Sequence, residues 1–166
     1  MARRTGRVLR LLEPWTTGQA ILYGTLAVGV LDGLAAIVTF GLRGTPPPRI
    51  FQGIAVGLLG RASFEGGWGT VVLGIVLHFT VALGIVTTYA VASHVAPALA
   101  RHPLALGPLY GIAAFFVMNL VVIPLSAIGA VVLRWPGSLN GLLIHVLLVG
   151  LPATIAAAKA FAGRKR

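Results

Sequence analysis

Four long apolar runs, nearly free of charge, decide most of what this chain can become. They lie at about 18–41, 69–92, 104–133 and 139–158. A helix rises about 1.5 Å per residue, so crossing about 30 Å of hydrocarbon takes about 20 residues. Each run reaches that length. In water the same runs would leave large apolar patches exposed. A lipid solvent removes the conflict, provided every backbone polar group is paired within its own helix. The remaining composition agrees: mean hydropathy is +0.95 and only 10% of residues are charged, against about 25% in soluble domains. The expected fold is all-α: an integral membrane four-helix bundle, with residues 1–166 forming a single transmembrane domain.

The connection at 42–68 carries a further element. Its start, Arg43-Gly44-Thr45-Pro46-Pro47-Pro48-Arg49, reads as non-helical, because proline lacks the backbone donor a helix needs. The apolar run at about 50–60 is too short to cross, so it is expected as an interfacial or re-entrant helix. Pro124 within the third run predicts a kink or break there.

The net charge is +10, from 13 Lys+Arg against 3 Asp+Glu. Its distribution speaks against nucleic acid, because the cations flank the spans and do not line a groove. Arg3, Arg4, Arg7 and Arg10 precede the first span, Arg101 sits between the second and third, and Lys159, Arg164, Lys165 and Arg166 close the last. Arg43, Arg49, Arg61 and Arg134 fall on the opposite side. The positive-inside rule then places both termini in the cytoplasm, where the basic clusters meet anionic lipid headgroups. Trp15, Trp68 and Trp135 fall at predicted interfaces, as amphipathic rings should. The basic start followed by an apolar run resembles a signal peptide, but the run is long for one and reads as a retained span. The chain has no Cys, so disulfides and thiolate chemistry are excluded.

Polar groups inside spans are costly, and each is a candidate for function. Asp32, His78 and His145 are the ionisable ones, and Asn119 is the polar residue of the third span. Counting along the helices, Asp32 and His78 lie roughly 13 Å from the outer ends of their spans, and His145 roughly 9 Å. The three are therefore expected to meet in the outer half of the bundle, with Asn119 deeper. Glycines and alanines flank Asp32 and His78, which predicts inward faces. Gly29-x-x-x-Gly33, Gly53-x-x-x-Gly57 and Gly107-x-x-x-Gly111 are expected to mark close packing. Arg61 and Glu65 are spaced for a helical ion pair. An internal repeat is also legible: Leu22-Tyr23-Gly24 precedes Asp32 as Leu109-Tyr110-Gly111 precedes Asn119, and Gly74 precedes His78 as Gly141 precedes His145.

In order, the chain has a small-residue span, Pro47-Pro48-Arg49, His78, Pro124-Leu125-Ser126 and His145. With these features it resembles the YagU-type family of small bacterial inner-membrane proteins, without the longer polar insert of that family. The resemblance implies a bacterial inner-membrane location and about four helices. It implies no biochemical activity.

Three roles are open for the cluster. It can be structural, in a scaffold or accessory subunit of a homo-oligomer or larger membrane complex. It can move ions, protons or a small solute, with Arg43, Arg49, Arg61 and Arg134 as an anion-attracting mouth. It can hold a divalent metal through His78, His145 and Asp32, or haem b between the two histidines. No nucleophile or carboxylate pair appears, so no enzymatic activity and no resident cofactor are expected.

Overall fold

The computed structural model describes residues 15–130 and 132–163. The four N-terminal arginines, Glu13 and residues 164–166 lie outside them. The described residues form helices and loops without a strand.

Four helices are long and apolar enough to cross a membrane. They are α1 (Thr17–Gly41), α3 (Gly67–Val95), α5 (Pro103–Leu125) and α6 (Leu139–Ala162). Two shorter helices complete the chain, α2 (Pro47–Leu59) between α1 and α3, and α4 (Ala98–Arg101) between α3 and α5. The protein is a four-span helical membrane protein. α1 packs against α3 and α6, α6 also against α5, and α2 against α3.

The bundle is lined with small residues and coated with large ones. Ala20 and Ala153 are completely buried, and Ala82, Ala156, Ala157 and Ala160 nearly so. Leu22, Val38, Val72 and Leu109 are more than half exposed. Lipid tails are as apolar as leucine, so helices gain little by hiding leucine from lipid. They gain by close backbone approach, which small side chains permit.

α1 begins one residue before its expected start, at a capping box. Thr16 Oγ accepts from Gln19 N–H at 3.2 Å, and Gln19 Oε1 accepts from Thr16 N–H at 2.9 Å. At the same end Lys159 Nζ lies 4.4 Å from the centre of the Trp15 ring. The carbon stem of lysine covers apolar surface while its charge faces the ring.

Two expectations about helix bounds are corrected. The apolar helix was expected from about residue 50, yet α2 starts at Pro47. Pro47 and Pro48 occupy its first turn, where backbone donors have no partner in any case. The third span was expected to reach 133, but α5 ends at Leu125. Ser126 turns extended, its Oγ donating to the Ile123 carbonyl at 2.7 Å. Ala127 N–H then donates to the Gly57 carbonyl of α2 at 2.9 Å, and Gly129 turns the chain at φ +76°.

Proline acts differently from a simple kink. The segment Met118–Val122 is a π-helix, followed by Ile123 and then Pro124. α6 repeats the arrangement with a π-helix at His145–Gly150, then Leu151 and Pro152. A proline ring clashes with the carbonyl four residues back and cannot donate to it. A widened turn just ahead of the ring relieves both problems, and such turns recur at functional sites.

α2 is anchored by a buried polar network. Ser63 Oγ donates to the Gln52 carbonyl at 2.9 Å, and Thr70 Oγ donates to the Ser63 carbonyl at 2.6 Å. Gln52 Nε2 donates to the Gly67 carbonyl at 3.2 Å. Ser63 is completely buried, and Gln52 and Thr70 nearly so. Thr70→Val keeps the shape and removes the hydroxyl, leaving the Ser63 carbonyl only the longer bond from Gly66 N–H at 3.4 Å. It is expected to lower stability by about 1–2 kcal/mol. The check is the unfolding midpoint in a detergent titration, with helix content unchanged beforehand.

The expected Arg61–Glu65 pair is not made. Among the described residues, Asp32 and His78 form the only close approach of opposite ionisable groups. Residues 60–64 are 3₁₀-helical, and three residues per turn carry positions i and i+4 off a shared face.

Candidate functional site

All four polar residues singled out in the spans line one cavity, of about 440 Å³. It lies between the spans at the end of the bundle where α2 packs. Thr39 and Phe40 of α1 and Arg43 just past its end border it there, with Ser138 and Asn140 at the α6 start. Asp32, His78, Asn119 and His145 line its middle, and Ile54 of α2 contributes to the wall. Val28, Ala82 and Val149 close its floor and belong to the core.

His78 is held from three sides. Its Nε2 lies 2.8 Å from the Gly29 carbonyl of α1. A carbonyl can only accept, so Nε2 carries the hydrogen and Nδ1 is the variable position. Nδ1 faces Asp32 Oδ2 at 3.9 Å. Phe79 and Phe51 flank the ring edge-on, at 5.5 and 6.5 Å between centres. The approach depends on Gly29 and Gly33. A Cβ at Gly33 would stand 3.3 Å from His78 Nε2, and one at Gly29 would overlap the Phe79 ring. The first small-residue motif thus seats the histidine against α1.

His145 and Asn119 use their own helices. His145 Nδ1 lies 2.9 Å from the Gly141 carbonyl, which by the same reasoning puts its hydrogen on Nδ1 and leaves Nε2 as an acceptor. Asn119 Nδ2 donates to the Phe115 carbonyl at 2.9 Å. The Phe115 ring stacks edge-on against His145, 5.5 Å away. Asp32 receives no hydrogen bond from any described residue, and its side chain is 27% exposed against 11% for His78.

The expected basic mouth is narrower than four arginines. Only Arg43 lines the cavity, with its guanidinium 5.9 Å from the Phe40 ring centre. Arg49 stacks over Phe64 at 4.6 Å, Arg61 is exposed on the 3₁₀ turn, and Arg134 is exposed in the loop before α6. The three-ligand metal set does not assemble either. Among the described residues, no three of His, Asp and Glu are grouped to hold a metal ion. Asp32 and His78 pair, but His145 does not complete a triad with them.

Sequence reasoning missed Asn140 and Thr39. Asn140 Nδ2 donates to Thr39 Oγ at 3.0 Å, joining α6 to α1 at the mouth. The available signal was polarity: Asn140 is the first amide in an otherwise apolar span. The glycine motifs are divided. Gly107 and Gly111 pack against α6, Gly57 meets Ser126, and Gly53 has open space. His94, exposed near the end of α3, bonds to Thr17 Oγ at 3.2 Å and joins α3 to the start of α1.

No protein-family model matches this chain, and no curated protein or solved structure matches it either.

Proposed function

We infer that this protein moves protons through the cavity that holds Asp32 and His78. The observation carrying this reading is the set of four span-borne polar groups on one cavity, with an Asp–His pair among them. An ionisable pair inside a membrane is costly and is kept where it does work. An imidazole can both accept and give up a proton, which suits it to a relay. The positive-inside pattern supports a cavity facing outward, in an inner membrane of the kind the YagU-type resemblance implies.

Passage to the other side requires the floor to open. Val149, on that floor, lies within the π-helical segment His145–Gly150. Transporters build their midplane sites from broken helix segments.

The test is acidification of proteoliposomes containing a trapped pH dye, driven by an imposed proton gradient. Wild-type protein is expected to speed acidification over empty vesicles. Asp32→Asn and His78→Ala are each expected to reduce the protein-dependent rate by about tenfold or more. Rates equal to wild type in both variants would sink the reading.

One observation favours an accessory role as a second reading. Thr80, Gly84 and Thr88 form an exposed stripe on α3, and a Cβ at Gly84 would meet nothing within 4 Å. Such a stripe accepts a helix from another chain.

A further inference from the structure

Every polar side chain in the middle of the cavity has its hydrogen-bond donor turned onto a backbone carbonyl. His78 gives Nε2–H to Gly29, His145 gives Nδ1–H to Gly141, and Asn119 gives its amide nitrogen to Phe115. What remains is mostly acceptors, namely the Asp32 carboxylate, His78 Nδ1, His145 Nε2 and the Asn119 amide oxygen, against one further N–H of the Asn119 amide. Asp32 receives no donor from any described residue, and the His78 lone pair faces it at 3.9 Å. Two acceptors turned toward each other in an apolar cavity are unfavourable until something with hydrogens stands between them. A proton is one solution. A ligand rich in N–H donors is the other.

We propose that the cavity binds a small primary ammonium cation with an apolar body, which takes the place of the proton at Asp32 and His78. An ammonium group carries three donors and one positive charge, and one nitrogen can give to both Asp32 Oδ2 and His78 Nδ1, which stand 3.9 Å apart. The other walls suit the body: Val81, Ile85, Phe115, Ile123 and Ile144 are apolar. The volume of about 440 Å³ lies within the usual range of about 300–1,000 Å³ for small-ligand sites. A bare metal ion fits less well, because no three ionisable ligands are grouped among the described residues. Arg43 does not oppose the cation at the site. It lies past the end of α1, makes no ion pair with Asp32, and holds its guanidinium 5.9 Å from the Phe40 ring centre.

The proposal rests on the proton-linked reading and names its cargo class. Calorimetric titration of the purified full chain tests it, at about pH 8, above the usual imidazole range. Three probes of like shape are compared: phenethylammonium, its N,N,N-trimethyl analogue and 3-phenylpropionate. Phenethylammonium is expected to bind saturably. The trimethyl analogue keeps the charge without N–H donors and is expected to bind about tenfold more weakly or worse. The carboxylate is expected not to bind, and Asp32→Asn to abolish binding of the ammonium. Equal affinity for the primary and quaternary cations, preference for the carboxylate, or undiminished binding in Asp32→Asn would each overturn the proposal. If that variant does not fold, the three probes on wild-type protein still decide. Proton flux that needs Asp32 and His78, with no ammonium binding, overturns this cargo class and leaves the proton reading standing. Ammonium binding without flux keeps the site and overturns the movement.

Discussion

Gly150→Ala is expected to prevent stable packing of α5 on α6, although it adds one methyl group. A Cβ at Gly150 would run into the Gly107 carbonyl and stand 2.6 Å from Gly111 N. The contact is reciprocal: a Cβ at Gly111 would lie 2.6 Å from Val146 Cα, and one at Gly107 would lie 3.0 Å from Leu151 Cα. These neighbours are backbone, so no rotamer change relieves the overlap, and the two helices must separate. Overpacking usually costs about 1–3 kcal/mol, and backbone against backbone belongs at or above the top of that range. Separation also carries His145 away from Asn119 and opens the cavity. The expected result is loss of the monodisperse folded fraction after detergent extraction, read by size-exclusion chromatography and thermal unfolding. Gly53→Ala is the control. Nothing lies within 4 Å of a Cβ at Gly53, and alanine favours a helix by about 1 kcal/mol over glycine. A Gly150→Ala protein as stable as wild type would refute this account of the α5–α6 contact.

Gly74→Leu is expected to detach α2 while leaving the four spans in place. A Cβ at Gly74 would collide with the Phe51 carbonyl, so the α2 backbone crosses α3 at this point. The remaining polar ties are the Gln52, Ser63 and Thr70 network and the bond from Ala127 to Gly57, beside the buried side chains of Ile50 and Ala55. Membrane hydrogen bonds contribute only about 0.6 kcal/mol each on average, too little to offset a backbone collision of about 3 kcal/mol. Ile54 then leaves the cavity wall and Phe51 leaves His78. Because the chain has no cysteine, an Ile54→Cys reporter is the only thiol present. Maleimide labelling of that reporter is expected to quicken by about tenfold or more in the Gly74→Leu background, given the energies above. Unchanged labelling, with the protein still folded, would show that α2 does not depend on this crossing.

The sequence repeat does not become a repeat of contacts. Gly74 meets the backbone of α2, whereas Gly141 meets the Phe115 ring. His78 bonds across to α1, whereas His145 bonds within its own helix. Sequence kinship between the two hairpins, if inherited, survives in position more than in partner.

The four spans and the presence of a short helix between the first two spans were legible from residue order. Burial in lipid acts on each stretch of about 20 residues independently, so a local reading suffices. The choice of Asp32, His78, Asn119 and His145 as the polar groups to watch was legible for the same reason, since a polar group in hydrocarbon stands out alone. Part of their chemistry is local too: the Asn119 and His145 bonds each run four residues back within one helix.

Other features depended on which helices meet. α5 stops at Leu125 because Ala127 pairs with Gly57 on a distant helix, and hydropathy carries no trace of that bond. α2 begins at prolines that read as a helix breaker, because a first turn needs none of the donors they lack. Three of the four expected mouth arginines lie outside the cavity, and Arg61 does not meet Glu65. The assignment of the His78 hydrogen to Nε2, which turns Nδ1 toward Asp32, required the Gly29 carbonyl on another helix. Hydropathy is a property of single segments, whereas the acceptor character of a cavity belongs to the pairing of groups from several segments. Only the assembled bundle sets that pairing.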